Sequence, residues 1–218
     1  GVAGSTQPHP PLRINMVSDR HIKSLVEKGN DAIRNEAWDE GSKIFNELCE
    51  IFPENPAALT NYSLCLMYSS NYTKAKEILD RVEKLTPLSI TVNHNRGICL
   101  YLEKDLDKAL ESFKKCLRID KDHEESWLMC AKILRDKKDY SDAIGILHNI
   151  IKKNPKVDFL IELSITHIGN NEFEQAENIL KKILDGKPDN KPAREILIKL
   201  YKRIPGKESL ALEFEEGP

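Results

Sequence analysis

The sequence predicts an all-α protein, a solenoid of paired helices, and three observations carry that expectation. Four helix-ending prolines, Pro53, Pro87, Pro155 and Pro188, fall 34, 68 and 33 residues apart, so one period runs through the chain, with Lys121 standing where a proline is missing. Each period holds two amphipathic stretches separated by a short polar turn, the pattern of a helix hairpin. The composition agrees: of 218 residues 31% are charged, 40% hydrophobic and 6% aromatic, with only 10 Gly, which suits a helix-rich chain and neither a disordered nor an all-β one.

Counting back from the prolines gives repeats 22–55, 56–89, 90–123, 124–156 and 157–190, the fourth one residue short. The eighth position of each is small, Gly29, Ser63, Gly97, Ala131 and Ser164, where the two helices of a pair must approach closely. The twentieth is small again, Gly41, Ala75, Ala109, Ala143 and Ala176, and a large residue stands three positions earlier: Trp38, Tyr72, Leu106, Tyr140 and Phe173. The twenty-fourth is bulky, Phe45, Leu79, Phe113, Leu147 and Leu180, one turn beyond the small one. No such unit covers its own apolar face, so neighbours must stack and the last face needs a cap. Residues 191–203 supply it, with Ala193, Leu197, Leu200 and Tyr201 on one helical face and Lys191, Arg194, Lys199, Lys202 and Arg203 left wet, before Pro205-Gly206 ends the helix. Residues 1–20, with Pro8, Pro10 and Pro11 and no periodicity, are expected to be a flexible leader. Its opening Gly-Val-Ala-Gly-Ser, without an initiator Met, reads as a cloning remnant; Gly1 and Ser5 would fit a myristoylation pattern only behind a removed Met. The acidic tail 204–218, with Leu210, Leu212 and Phe214, either hangs free, which is the default expectation, or docks on the protein.

Filled in this way at a 34-residue period, the positions resemble the tetratricopeptide repeat (TPR) over about residues 22–203. The resemblance implies a TPR domain over 21–203, a right-handed α-solenoid of five TPR helix-turn-helix repeats plus a C-terminal capping helix. It also implies a concave groove lined by the first helix of every repeat, in which a peptide or helical segment of a partner protein lies. Carried onto this numbering, the groove positions are Val26, Asn30 and Ile33; Thr60, Asn61, Leu64, Met67 and Tyr68; His94, Asn95, Ile98, Tyr101 and Leu102. Leu128, Met129, Lys132 and Arg135 follow, then Ile161, Glu162, Ile165 and Ile168.

Such a groove is apolar for a surface facing water, which marks a partner site unless adjacent first helices bury it against one another. Met67, Met129, Tyr68 and Tyr101 suit either case. Asn30, Asn61 and Asn95 can each donate to and accept from an extended backbone, forming a ladder of sequence-tolerant grips, unless they cap loops or bond a neighbouring repeat. His94 reads as a hydrogen-bonding groove residue and not as a catalyst. The carboxylate clamp of chaperone-binding TPRs is disfavoured: Asn30 and Asn61 fill its two amide positions, but its three cationic positions fall on Val26, Thr91 and Asn95.

Other classes find little support. No nucleophile elbow, phosphate loop, HExxH or Gly-rich dinucleotide turn is present, so no enzyme and no cofactor are expected. The five Cys, at 49, 65, 99, 116 and 130, form no CxxC pair and read as reduced core thiols of a cytoplasmic protein, with no metal. A net charge of −2 with interspersed signs argues against nucleic acid, and no apolar run is long enough for membrane insertion. The expected function is a cytoplasmic protein–protein interaction adaptor. The alternatives are self-association into a homo-oligomeric scaffold, as in bacterial organelle-associated proteins of the magnetosome type, or one TPR part of a multi-subunit machine such as a ciliary, anaphase-promoting or secretion assembly.

Overall fold

A computed structural model describes residues 18–216, and the expected leader up to residue 17 lies outside the described residues together with its myristoylation pattern. Residues 18–20 belong to structure: Ser18 caps the first helix, its hydroxyl accepting from the His21 N–H. The described chain is all-α, an array of helical repeats with no strand among the described residues. The helices are α1 (Asp19–Arg34), α2 (Trp38–Ile51), α3 (Pro56–Tyr68), α4 (Tyr72–Leu85), α5 (Ile90–Leu102), α6 (Leu106–Ile119), α7 (Glu124–Asp136), α8 (Tyr140–Lys153), α9 (Val157–Gly169), α10 (Phe173–Gly186), α11 (Lys191–Arg203) and α12 (Glu208–Glu216). Two compact units divide them, one ending at Glu103 with α1–α5 and one beginning at Lys104 with α6–α12.

Local chemistry sets where the helices begin and turn. Asn55, Asn71, Ser89, Asp105 and Asn190 cap α3, α4, α5, α6 and α11 through their side-chain oxygens, and Pro56 occupies the first turn of α3, where its missing N–H costs nothing. Within each pair the first helix ends on a residue in the left-handed region: Glu36, Ser70, Lys104, Lys138 and Asn171 have φ between 55° and 68°. The next N–H then reaches five residues back, Ala37 to Ala32 O, Asn71 to Leu66 O and Asp139 to Leu134 O at 2.8 Å, and Glu172 to His167 O at 2.9 Å. This closure satisfies carbonyls that the helix end would orphan and reverses the chain in three residues.

In the first unit each helix packs on the next, and α3 also touches α5. Its core joins Phe45, Leu59, Tyr62, Cys65, Val82 and Cys99. The small residues are sterically required there: a Cβ on Gly29 would stand 2.8 Å from Phe45 Cζ, and one on Gly41 2.7 Å from Cys65 Sγ. In the second unit the chain order of contacts repeats, and α7 additionally lies against α9 and α9 against α11, while no comparable contact joins α6, α8 and α10. First helices therefore crowd together and second helices splay. Ala131, Leu147, Ile150, Phe159 and Leu163 form one core, and Leu180, Ile183, Leu197, Leu200 and Tyr201 another.

The acidic tail does not hang free as the sequence suggested. Residues 208–216 form α12, which packs on α11 and makes a further hairpin with it around Gly206, at φ 84°. Leu210, Ala211 and Phe214 share the inward face of α12, and the Phe214 ring lies 5.9 Å from that of Tyr201. Lys202 pairs with Glu215 at 2.5 Å. The open face of α11 supplies the apolar partner that nothing in the tail itself reveals. Beneath it, Glu177 accepts from the Tyr201 hydroxyl at 3.0 Å, pairs with Lys181 at 2.7 Å and also holds Lys207. Burial opposes ionisation of Glu177, but donation from Lys181, Lys207 and Tyr201 outweighs it and brings the carboxyl down to about 2.

Two measurements check this account. Gly29→Ala is expected to destabilise the chain, since the buried Phe45 ring must move, whereas Gly145→Ala, in α8 with nothing within 4 Å of its Cβ, is expected to stabilise it by about 0.5–1 kcal/mol in urea unfolding. Because the Glu177 pKa is depressed on folding, its contribution is complete above the unfolded glutamate range of about 4.3 and is lost as pH falls through about 2. The stability gap between wild type and Glu177→Gln should therefore close on acidification, and a gap unchanged down to that pH would contradict the network.

Candidate functional site

The first helices carry the residues that the sequence placed on a binding face, and the structure sorts them. In the first unit, Asn30 and Ile33 stand on α1, Asn61, Leu64, Met67 and Tyr68 on α3, and His94, Asn95, Ile98 and Tyr101 on α5. Asn30 is exposed; Ile33, Asn61, Leu64, His94, Ile98 and Tyr101 are half-buried. Tyr68 is 43% exposed, and its ring stacks on Trp38 at 4.5 Å and 22°, a rigid aromatic step at the end of α3. Val26, at 41%, adds an exposed aliphatic on α1. Met67 does not belong to this face: it is fully buried in the core, because α3 is covered by α2, α4 and α5 and has little free perimeter.

Asn61 and Asn95 stand apart in one respect. Asn95 is only 7% exposed and Asn61 half-buried, yet neither side-chain amide hydrogen-bonds to any described residue. Neither amide is fully enclosed, so both keep donors and acceptors within reach of the surface. They sit on α3 and α5, which touch. The three positions where a carboxylate clamp needs cations hold Val26 and Thr91, both exposed, and the buried Asn95.

In the second unit Leu128, Met129 and Lys132 of α7 and Ile165 of α9 are all half-buried. Two further groove positions are used within the protein. Arg135 Nε lies 2.7 Å from Glu162 Oε1, bridging α7 and α9, while the Arg135 guanidinium also reaches Asp136 at 3.3 Å. Those two atoms miss the ideal hydrogen-bond angle, yet at that separation the charges compensate each other, so neither is left unpaired. Burial pushes the Glu162 carboxyl up from the ordinary glutamate value, with Arg135 and Lys132 opposing. The spacing that marks Arg135 and Glu162 as groove positions does not distinguish a grip on a guest from a grip on the next repeat. It also passed over Trp127, half-buried on the side of α7 that meets α6 and α8, because that residue is none of the repeat-defining positions.

All five Cys are buried free thiols; burial pushes Cys49, Cys65 and Cys99 up to about 11 and Cys130 up to about 12, so they stay protonated and unreactive. Among the described residues no group of three or more His, Cys, Asp or Glu is placed to hold a metal ion, and no helix is long and apolar enough to cross a membrane.

Comparison with known proteins fits this geometry. Residues 47–177 match the model of the tetratricopeptide repeat protein 21 N-terminal ARM repeat. The E3 ubiquitin-protein ligase CHIP of Arabidopsis thaliana is 24% identical over 101 residues, 46% of this chain and 36% of that protein, so the chain spans about a third of that relative's length. Among solved structures, a tetratricopeptide repeat protein of Parabacteroides merdae superimposes with a TM-score of 0.72 at 19% identity, covering 89% of this chain and 77% of that one. A thermophilic TPR protein of Thermus thermophilus gives 0.71 at 13% identity, covering 82% and 97%. At these identities the structures speak for the fold.

The bridge between α7 and α9 has a measurable signature. Arg135→Ala should cost about 3 kcal/mol at neutral pH by stranding the Glu162 charge, and much less in acid, where Glu162, already held above the ordinary glutamate value by burial, takes up a proton and no longer needs the cation. Urea melts at the two pH values check it; a loss independent of pH would mean that only packing by Arg135 matters.

Proposed function

Because the chain belongs to the tetratricopeptide repeat protein 21 N-terminal ARM repeat family, we propose that it is a non-catalytic interaction protein that holds a segment of a partner protein against the first-helix face of its α1–α5 unit. The observation that carries this reading is a pair of amides, Asn61 and Asn95, on adjacent helices, that make no hydrogen bond to a described residue and are not fully enclosed. An extended guest backbone supplies both a donor and an acceptor to each. Val26, Ile33, Leu64 and Ile98 provide apolar contact around them, and the Tyr68–Trp38 stack limits one end. In the second unit, Leu128, Met129, Lys132 and Ile165 offer half-buried side chains of the same kind on α7 and α9. The absence of cations at Val26, Thr91 and Asn95 speaks against a guest held by its terminal carboxylate. Five buried thiols support a reducing, cytoplasmic setting.

A photo-crosslinking amino acid at position 98, with an outward position such as 115 as the control, tests the face directly in extract of the source organism. A discrete crosslinked partner at 98 and none at 115 is expected, and Asn61→Ala with Tyr101→Ala should abolish it while circular dichroism and melting stay unchanged. Crosslinking that survives the double substitution would remove these residues from the site. If the crosslinked species is instead a second copy, and light scattering shows a dimer, the chain is a self-assembling scaffold.

A further inference from the structure

The second unit has a groove on the side away from its crowded first helices. α6 and α8 both lie on α7 without substantial contact with each other, so α7 is left as the floor of the gap. Two cavities of about 940 and 550 Å³ occupy this gap and share Trp127 and Ile146, so they form one continuous trough. Its apolar surface is Leu110 and Leu117 from α6, Trp127 and Leu134 from α7, and Ile146 and Ile150 from α8. The Trp127 indole is fixed by donation from Nε1 to the Lys121 carbonyl at 2.8 Å, which makes its ring a preset wall. Along α8 the trough runs from Asp142 to Lys153, a rise of about 16 Å, the length of three helical turns.

The rim is cationic once internal pairs are set aside. Asp122 is taken by Lys153 at 2.7 Å, Glu124 by Lys156 at 2.5 Å, and Arg118 by Glu111 at 2.8 Å. Lys114, Lys121 and Lys152 are exposed and held by no carboxylate among the described residues, against one unpaired acid, Asp142. Gly145 leaves the α8 edge bare, with open space where a side chain would project.

We propose that this trough is a second docking site, distinct from the first-helix face, for an acidic amphipathic helix of a partner protein. The guest lays an apolar stripe on Trp127, Leu134 and Ile146 and turns its carboxylates to Lys114, Lys121 and Lys152. Charge selects this occupant over others. Residues 1–17 of the chain contain no Asp or Glu, and the chain's own acidic amphipathic segment, α12, already has Leu210, Ala211 and Phe214 covered by α11. Nucleic acid fits poorly, because the floor is largely aliphatic with one aromatic ring and Asp122, Glu124 and Asp142 stand in the lining.

The test uses the full chain carrying Trp38→Phe, so that Trp127 is the sole tryptophan. The probe is a fluorescein-labelled peptide of about four helical turns with Leu on one face and Glu on the other. Saturable anisotropy with a Kd on the order of 10 μM and a shift of Trp127 emission are expected. Combining Lys114→Glu, Lys121→Glu and Lys152→Glu should weaken binding at least about tenfold with unchanged circular dichroism. A peptide with Lys for every Glu should not bind, and Asn61→Ala with Tyr101→Ala should leave binding intact, which separates this site from the first-helix face. The proposal is overturned by no saturation, by equal affinity in the triple variant, by loss of binding in the Asn61/Tyr101 variant, by equal displacement with a thymidine oligonucleotide, or by a dimer that the peptide dissociates.

Discussion

The close approach of helices at positions too small to hold them apart underlies the rest of the molecule. Where Gly29 faces the Phe45 ring and Gly41 faces Cys65, even a methyl group would force one side to move. Ser63, Ala131 and Ser164 take the place of Gly29 in later pairs, and Ala75, Ala109, Ala143 and Ala176 that of Gly41, all buried. The bulky partner one turn on, Phe45, Leu79, Phe113, Leu147 or Leu180, fills the space so created. A small residue and a large one, repeated every 34 residues, set the distance between helices, and interiors at crystal-like density tolerate little deviation from it.

That spacing creates two kinds of surface in the α6–α12 unit. Crowded first helices bring side chains of neighbouring repeats into mutual contact, so part of what faces inward is consumed in holding the stack, as Arg135 and Glu162 are. Splayed second helices leave a trough over α7 that no neighbouring residue fills. In the α1–α5 unit, Asn61 and Asn95 make no hydrogen bond to another described residue.

Charges bind the units internally where apolar contact ends. The Glu177 carboxylate gathers Lys181, Lys207 and Tyr201, joining α10, α11 and the turn into α12. Through it the last hairpin covers Leu197 and Tyr201, which a single capping helix would leave open on one side. Stacked repeats expose an apolar face at each end, and here an acidic segment closes one of them with Leu210, Ala211 and Phe214 turned inward.

Much of the fold was legible in the residues themselves. The period is a local property written in small and large positions, and helical periodicity exposes it without knowledge of neighbours. The left-handed turns were not, because Glu36, Ser70, Lys104, Lys138 and Asn171 are ordinary residues there, and only hydrogen bonds to the preceding turn make the conformation worthwhile. The residues of the proposed binding face could be named from their spacing, but their burial could not be read: Met67 and Glu162 obey the same spacing as Leu64 and Ile165 and end up inside. What the amino-acid order determined alone was the repeating hairpin and the side each helix turns to its partner, since these follow from contacts within one period. Which of those side chains remain open to another molecule, whether the acidic tail docks, and where α6 and α8 part over α7 were decided only when repeats packed, because exposure belongs to the assembled surface.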